Sequence, residues 1–445
     1  MKLLNLKIDG LFDLFNHKID YNQDERITLL TAPNGYGKTM SLKIIYNLFN
    51  KRFDFFIRLP FKRIIFTFDN NNFIEIQKEL NKDDTLIRFV LKDKNQEISS
   101  FKYSSKVLIS KFRKTMPMRR IEEFIPDFLE RNRNNSDEWE NKLTNEILSF
   151  TEVIYRYNDY IPEYIIRQFD INIPTEFNST LDKLGVHFIQ EQRLILREPI
   201  SNNRFRGEII IRDAIEKYAY ELSEKIKYII GEYAQVTQFL DSSFPKRLFQ
   251  EQTSSLNGET LKDKLKSLQE QREKTSKYGL LKLNEDSFFD EDEISSNDTK
   301  VLSLYISDSE KKLAVFSDLV NKIELFTSIL NERRFNFKSI EIDKDKGFVF
   351  KSKNGSVLQP TELSSGEQHE VVLLFELLFN TTENSLLLID EPEISLHIVW
   401  QKAFLNDIKE IINLKNIDIV IATHSPYIIH DRWDLTVNLE ASEIE

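Results

Sequence analysis

The sequence predicts an α/β fold in which a mixed sheet and a parallel sheet with flanking helices make one head, split by a largely helical insertion. Three observations predict it. A glycine-rich turn, Ala32-Pro33-Asn34-Gly35-Tyr36-Gly37-Lys38-Thr39, follows an apolar run near the start. A second apolar run, Leu386-Leu387-Leu388-Ile389, ends in Asp390-Glu391 near the other end. Both lie in stretches that alternate between strand and helix patterns, whereas the middle of the chain is charged and helix-patterned.

The elements follow in order. Leu3 to Ile8, Lys18 to Tyr21, Ile27 to Thr31, Ile64 to Asp69, Phe73 to Lys78 and Leu86 to Lys92 read as strands, several with period-two alternation. Thr39 to Asn50 reads as a helix starting directly off the glycine turn. These make residues 1–95 the N-terminal part of the head, followed by a helical insertion over 96–185 with Pro162 and Pro174 as punctuation. Val186 to Leu196 reads as a returning strand within a segment 186–207. A helical lobe then spans 208–335, where Leu261, Leu265 and Leu268 mark either a short coiled segment or a solvated linker helix. Asp286 to Asp298, acidic and rich in Ser and Asn, reads as a mobile loop. From 336 to 445 the pattern returns to strand and helix in alternation: Phe337 to Ile342, Gly347 to Ser352, Gly366 to Asn380, Ser385 to Asp390, Leu396 to Leu414 and Ile417 to Ala422. Such alternation implies parallel strands with helices on their faces.

Composition narrows the function. At 445 residues, with 40% hydrophobic content, the chain is long enough for a head and a further lobe. Against 61 Lys and Arg stand 72 Asp and Glu, a net charge of −11, which argues against a protein that coats nucleic acid along its whole surface. Cysteine is absent, which removes disulfides, thiolate catalysis and Cys-type zinc sites. No apolar run approaches the roughly 20 residues that span a bilayer, and Met1 to Leu6 lacks a signal-peptide core, so a cytoplasmic protein without a membrane partner is expected.

The chemistry-bearing residues fall in a few blocks. In the glycine turn, Gly35 and Gly37 let backbone N–H groups face phosphate, with Pro33, Asn34, Tyr36 and Met40 completing the cradle. Lys38 is placed to reach the β and γ oxygens of a triphosphate, and the Thr39 hydroxyl to ligate Mg²⁺. At the acidic strand end, Asp390 is the expected Mg²⁺ partner and Glu391 the carboxylate that orients or deprotonates the attacking water. Thr423-His424-Ser425-Pro426 follows the strand Ile417 to Ala422, and an imidazole at that strand end can bond both the γ-phosphate and Glu391. In Leu363-Ser364-Ser365-Gly366-Glu367-Gln368, Ser364 can donate its hydroxyl to phosphate while Gly366 opens the N-terminus of the next helix. Either Gln190 or Gln192 couples Mg²⁺ to the helical lobe, and Gln192, beside Arg193, is favoured. Two basic clusters, Lys106, Lys111, Arg113, Lys114, Arg119, Arg120 and Arg197, Arg204, Arg206, Arg212, fit solvated surface better than a nucleic-acid interface when each is taken singly.

Together these blocks resemble the ABC-type ATPases of the SMC, RecF and OLD group, with a split head around a helical or coiled insertion. Over Val186 to Leu194, Leu363 to Glu370, Asp390 to His397 and Ile429 to Leu435 the chain looks like the AriA-type ATPase subunits of PARIS antiphage systems, with Septu PtuA a near neighbour. The resemblance implies a Mg²⁺-dependent ATPase in which ATP is sandwiched between the phosphate loop of one subunit and Ser364, Ser365, Gly366, Glu367 and Gln368 of another. It makes Ser395 and His397 residues of the dimer seam. It further implies a homo-oligomer that holds a Toprim-type effector nuclease and releases it when a phage-encoded trigger protein is sensed. The nuclease is expected in trans, because the sequence ends at Glu445, shortly after His424. The alternative is a DNA-binding SMC- or RecF-like ATPase of DNA repair or chromosome maintenance. Two departures, Ala32 and Ser365 in place of glycines, bear on turnover more than on nucleotide binding, since neither position supplies a phosphate-binding side chain.

Overall fold

Along Leu3–Leu11 the inward positions are Leu6, Ile8 and Gly10 around an exposed Lys7, the alternation that a strand with one covered face imposes. The computed structural model describes residues 1–81, 84–94, 96–104, 106, 110, 125–126, 128–132, 138–157, 172–190, 194–199, 209–250, 258–282 and 299–441. In chain order these form β1 Leu3–Leu11, β2 Phe15–Asp20, β3 Ile27–Thr31, α1 Lys38–Phe49, α2 Asp54–Arg58, β4 Arg63–Phe68, β5 Asn72–Asn81, β6 Asp84–Asp93 and β7 Gln96–Ser104. There follow β8 Leu129–Arg131, β9 Glu138–Asn141, β10 Glu146–Ser149, α3 Phe150–Arg156, α4 Thr175–Leu181, β11 Val186–Ile189, β12 Ile195–Pro199, β13 Ile209–Asp213, α5 Ala214–Gln250, α6 Gly258–Lys277 and α7 Thr299–Ser328. The last third holds β14 Lys338–Asp343, β15 Gly347–Ser352, β16 Val357–Leu358, α8 Ser365–Phe375, β17 Leu386–Asp390, α9 Ile398–Lys415, β18 Asp418–Ala422, α10 Pro426–Ile429 and β19 Thr436–Asn438.

Two sheets carry the head. One is antiparallel, with strand order β2-β1-β4-β5-β6-β7; the other is parallel, with order β11-β17-β18-β3-β19. In the parallel sheet β3, from the first residues, lies between β18 and β19, from the last. Its three central strands, β17, β18 and β3, are buried on both faces, and their residues divide by parity. Leu30, Leu386, Leu388, Val420 and Ala422 enter the core shared with α1 and the antiparallel sheet. Ile27, Leu29, Leu387, Ile389, Ile419 and Ile421 enter a second core with α5, α7, α8 and α9. This is why these strands read as unbroken apolar runs.

The helical lobe is built on α5 and α7, 37 and 30 residues long, which pack together. The segment with two readings, Leu261 to Lys277, is α6: Leu261 and Leu268, with Leu265 at the edge, pack on Leu302, Ile306 and Leu313 of α7. Among the described residues no helix is long and apolar enough to cross a membrane.

The segment 96–185, expected to be helical, differs. β7 extends the antiparallel sheet, so a boundary at 95 divides the β6–β7 hairpin, and β8, β9 and β10 form a small sheet of their own. In β7 the inward residues are Ser99, Phe101 and Tyr103, and a serine at an inward position hides the alternation. In β8 to β10 the inward Leu129, Trp139 and Leu148 stand alone among charges, too sparse to show a period. The returning strand is also shorter than expected: β11 ends at Ile189, and Leu196 belongs to the β12–β13 hairpin. The acidic stretch Asp286 to Asp298, Pro162, and the basic residues Lys111, Arg113, Lys114, Arg119, Arg120, Arg204 and Arg206 lie outside the described residues.

Candidate nucleotide-hydrolysis site

β3 ends at Thr31 and the chain turns through Pro33, Asn34 and Gly35, all exposed, into α1. Gly35 and Gly37 have φ of 89° and 87°, a left-handed backbone that a side chain disfavours. At Gly37 an added Cβ would also lie 2.8 Å from Leu11 Cδ2. Tyr36 is held in place, because His17 Nε2 donates to its carbonyl oxygen at 2.8 Å and Phe15, stacked on the His17 ring, packs at a tilt against the Tyr36 ring. His17, buried and held below the usual imidazole range by desolvation, is a support of the phosphate loop that the sequence does not disclose.

Register brings the remote blocks together. Asp390 pairs with Ala422 across β17 and β18, while Ala422 pairs with Leu30 of β3, so the three strand ends open on the N-terminus of α1. There Thr39 Oγ1 donates to Asp390 Oδ1 at 2.9 Å. Lys38 Nζ donates to the Ala32 carbonyl at 3.1 Å, lies 3.7 Å from Glu391 Oε1 and touches His424 Nε2. His424 Nε2 is itself 3.3 Å from Glu391 Oε1. Lys38, Thr39, Asp390, Glu391 and His424 thus share one cluster.

Glu391 sits at φ 43°, a left-handed conformation that a side chain adopts at a cost of about 1–3 kcal/mol. Its N–H donates to Ala422 O at 2.9 Å, and Pro392 begins the short helical turn Pro392–Ser395 beyond it. Desolvation, reinforced by the neighbouring Glu393, pushes the Glu391 carboxyl up to about 7 even with Lys38 alongside. The Lys38 ammonium is lowered by burial despite Glu391 and Asp390, and His424 is lowered by burial and by Lys38. A carboxyl near neutrality beside a neutral imidazole is suited to accept a proton from water.

The raised Glu391 carries a stability consequence. A carboxyl whose folded pKa exceeds its unfolded value near 4.5 contributes stability that is fully present below 4.5 and lost as pH rises through about 7. Glu391→Gln is therefore expected to leave the nucleotide-free protein about as stable as the parent at pH 4.5, and more stable at pH 8 by roughly 1–3 kcal/mol. Urea melts of both proteins at the two pH values check this.

Glu393, to which the sequence assigns no role, ties the two strand-end segments together. Its Oε1 accepts from Thr423 Oγ1 at 2.7 Å, His424 N at 2.5 Å and Ser425 N at 3.0 Å. The only sequence signal was its place in the run Asp390 to Glu393, which does not say that it faces the neighbouring strand end.

The second loop stands apart. Ser364 caps α8: its Oγ donates to Glu367 Oε2 at 2.9 Å, its N–H donates to the same oxygen at 2.7 Å, and Glu367 N returns a bond to Ser364 Oγ at 3.4 Å. Lys338 Nζ donates to Glu367 Oε2 at 2.8 Å, and Gln368 Nε2 to the carbonyls of Pro360 and Leu363. Ser364, Ser365, Gly366 and Glu367 line a cavity of about 540 Å³ together with Ile394, Leu396, His397 and Trp400, and no residue of the phosphate loop lines it. His397 accepts from Val399 N at 3.4 Å at the start of α9, and Ser395 lies in the turn before it. Beside them Ile394, Ile398 and Val399 are 57%, 50% and 63% exposed.

Gln192 lies outside the described residues; Gln190, at the end of β11, lines a different cavity of about 560 Å³ with Met40, Lys43 and Tyr46 of α1.

Protein ea59 of Escherichia phage lambda is 33% identical over 143 residues, which is 30% of this chain and 26% of that protein, so the match spans about a quarter of that relative. Among solved structures, the Smc head domain with an extended coiled coil bound to the C-terminal domain of ScpA, from Pyrococcus furiosus, aligns at 13% identity over 96% of this chain and 90% of that one, with a TM-score of 0.35. The SMC head domain from Thermotoga maritima aligns at 10% identity over 98% and 94%, with a TM-score of 0.32. The AAA ATPase domain family matches residues 1–429. With nearly the whole sequence covered, and with the glycine turn and acidic strand end in one cluster, the chain belongs to the AAA ATPase domain family.

Proposed function

We propose that the protein hydrolyses ATP with Mg²⁺ at a site completed by a second copy of itself, and that binding and hydrolysis close and reopen the pair. The observation that carries this reading is the division of one chain into two half-sites. Lys38, Thr39, Asp390, Glu391 and His424 form one cluster, while Ser364 to Glu367 open on a separate groove with an exposed apolar rim. Thr39 Oγ1 and Asp390 Oδ1 are hard oxygen donors already in contact and fit Mg²⁺, which takes one or two protein oxygens and completes its shell with phosphate and water. Bound there, the ion would neutralise charge on the β and γ oxygens. Lys38 holds the same oxygens, Glu391 orients water and takes its proton, and His424 holds Glu391 from the other side. Ser364→Arg is expected to leave ATP binding within about twofold while lowering turnover at least about tenfold, because the bulk blocks only the half-site offered to a partner. Equilibrium binding and steady-state hydrolysis on the same protein test this. Loss of binding, or unchanged turnover, refutes it.

For the biological role, the reading favoured is an SMC- or RecF-like ATPase that engages DNA. Its support is the pairing of α5 and α7, the two long helices of the insertion. A second reading, a scaffold of antiphage defence that retains a Toprim nuclease in trans and answers a phage-encoded trigger, is supported by the motif blocks Leu363 to Glu370 and Asp390 to His397. Double-stranded DNA that stimulates turnover with a steep salt dependence favours the first. Turnover indifferent to DNA, with a nuclease co-purifying from the native host, favours the second.

A further inference from the structure

We propose that Gln401 is a positioning residue for hydrolysis, coupling contact at the apolar rim to the placement of His424; this rests on the paired-site reading above. Gln401 lies in the first turn of α9 and is 8% exposed. Its Nε2 donates to the Leu396 carbonyl at 2.9 Å and to the Glu393 carbonyl at 3.3 Å, while its Oε1 accepts from Ser425 Oγ at 2.6 Å. The two carbonyls fix which end of the amide is nitrogen, so the oxygen must face Ser425. The Ser425 hydroxyl gives its only proton to Gln401 and receives the N–H groups of Tyr427 and Ile428 at 3.1 and 3.3 Å. One buried amide therefore joins the segment from Glu391 to Leu396 to the segment from Thr423 to Ile428.

Position gives this link its function. Ile394, Ile398 and Val399, exposed and apolar, flank Leu396 and the start of α9, on the surface a partner would cover. At the other end, the segment that Ser425 anchors carries His424, and Glu393 Oε1 clamps Thr423, His424 and Ser425 to the Glu391 side. A shift of the rim cannot be absorbed locally, because both amide hydrogens and the oxygen of Gln401 are committed; it reaches His424 and Glu391. Gln401 touches neither phosphate nor water in this scheme. It sets where the residues that do are held.

Methionine nearly matches glutamine in shape, so Gln401→Met removes the link with little change in packing. Hydrolysis is expected to fall at least tenfold in kcat, with KM within twofold of the parent. Ser425→Ala is expected to do the same, and the double variant to be no slower than the slower single one, since both cut one connection. In a Glu391→Gln background, Gln401→Met is expected to form the ATP-dependent dimer with affinity within twofold, separating transmission from assembly. Unchanged kcat in Gln401→Met, kcat losses that multiply in the double variant, or a dimer lost together with kcat overturns the inference. If Glu391→Gln alone forms no ATP-dependent dimer, the paired-site reading fails and this inference with it.

Discussion

Glu391→Gln is expected to lower ATP turnover by about 10²–10³-fold while ATP binding persists, and to accumulate an ATP-bound dimer that the parent protein forms only transiently. The substitution keeps the shape of the side chain and removes its basicity. Lys38, Thr39 and Asp390 do not depend on that basicity, since Thr39 bonds Asp390 and Lys38 is held by the Ala32 carbonyl. The left-handed backbone at position 391 is also retained, because it is fixed by the bond to Ala422 and by Pro392. Light scattering with ATP and Mg²⁺, run beside steady-state hydrolysis, checks both halves. Turnover within threefold of the parent would remove Glu391 as the base; slow turnover without a dimer would remove the second copy from the site.

Arg334→Met is expected to destabilise the fold by about 3–5 kcal/mol, the largest stability effect among the substitutions considered. Arg334 ends the π-helical turn Ile329–Arg334 that follows α7, and only 4% of it is exposed. Its Nε donates to Glu370 Oε1 of α8 at 2.7 Å, and its Nη2 to Asp407 of α9. One guanidinium thus joins the end of the helical lobe to α8 and α9, the helices that follow the Ser364 loop and the Asp390 strand end. Asp407 is pushed above the usual carboxylate range because burial outweighs Arg334 and Arg333 together, so the loss of Arg334 leaves it further strained. Glu370, 1% exposed, would lose its Arg334 partner outright. Urea denaturation at neutral pH measures the loss, and adding Glu370→Leu to Arg334→Met is expected to recover part of it by removing a buried carboxylate that has lost this cation. A loss under 1 kcal/mol would show that the pair's desolvation had cancelled its attraction.

The phosphate loop and acidic strand end were legible because their chemistry is local. Gly35 and Gly37 announce a backbone, and Leu386 to Ile389 announce a strand covered on both faces. The inward Ser99 concealed β7, and the sparse apolar residues of β8 to β10 concealed a sheet, because periodicity fails where an inward position is polar or a strand is short. His17, Glu393 and Gln401 were not legible for a different reason. Each acts on a segment brought close by folding: His17 on Tyr36, Glu393 on Thr423 to Ser425, and Gln401 on Ser425.

The sequence by itself determined that a glycine-rich turn and an acidic strand end belong to one α/β head, since glycine spacing, apolar runs and strand-end carboxylates are properties of single segments. Only the tertiary structure decided which side chains hold those segments in place, and that the Ser364 loop opens on a separate groove. The physical reason is that a hydrogen bond or a buried charge pair depends on distance in space, and β3 lies beside β18 only because sheet register puts residues from the two ends of the chain within bonding range.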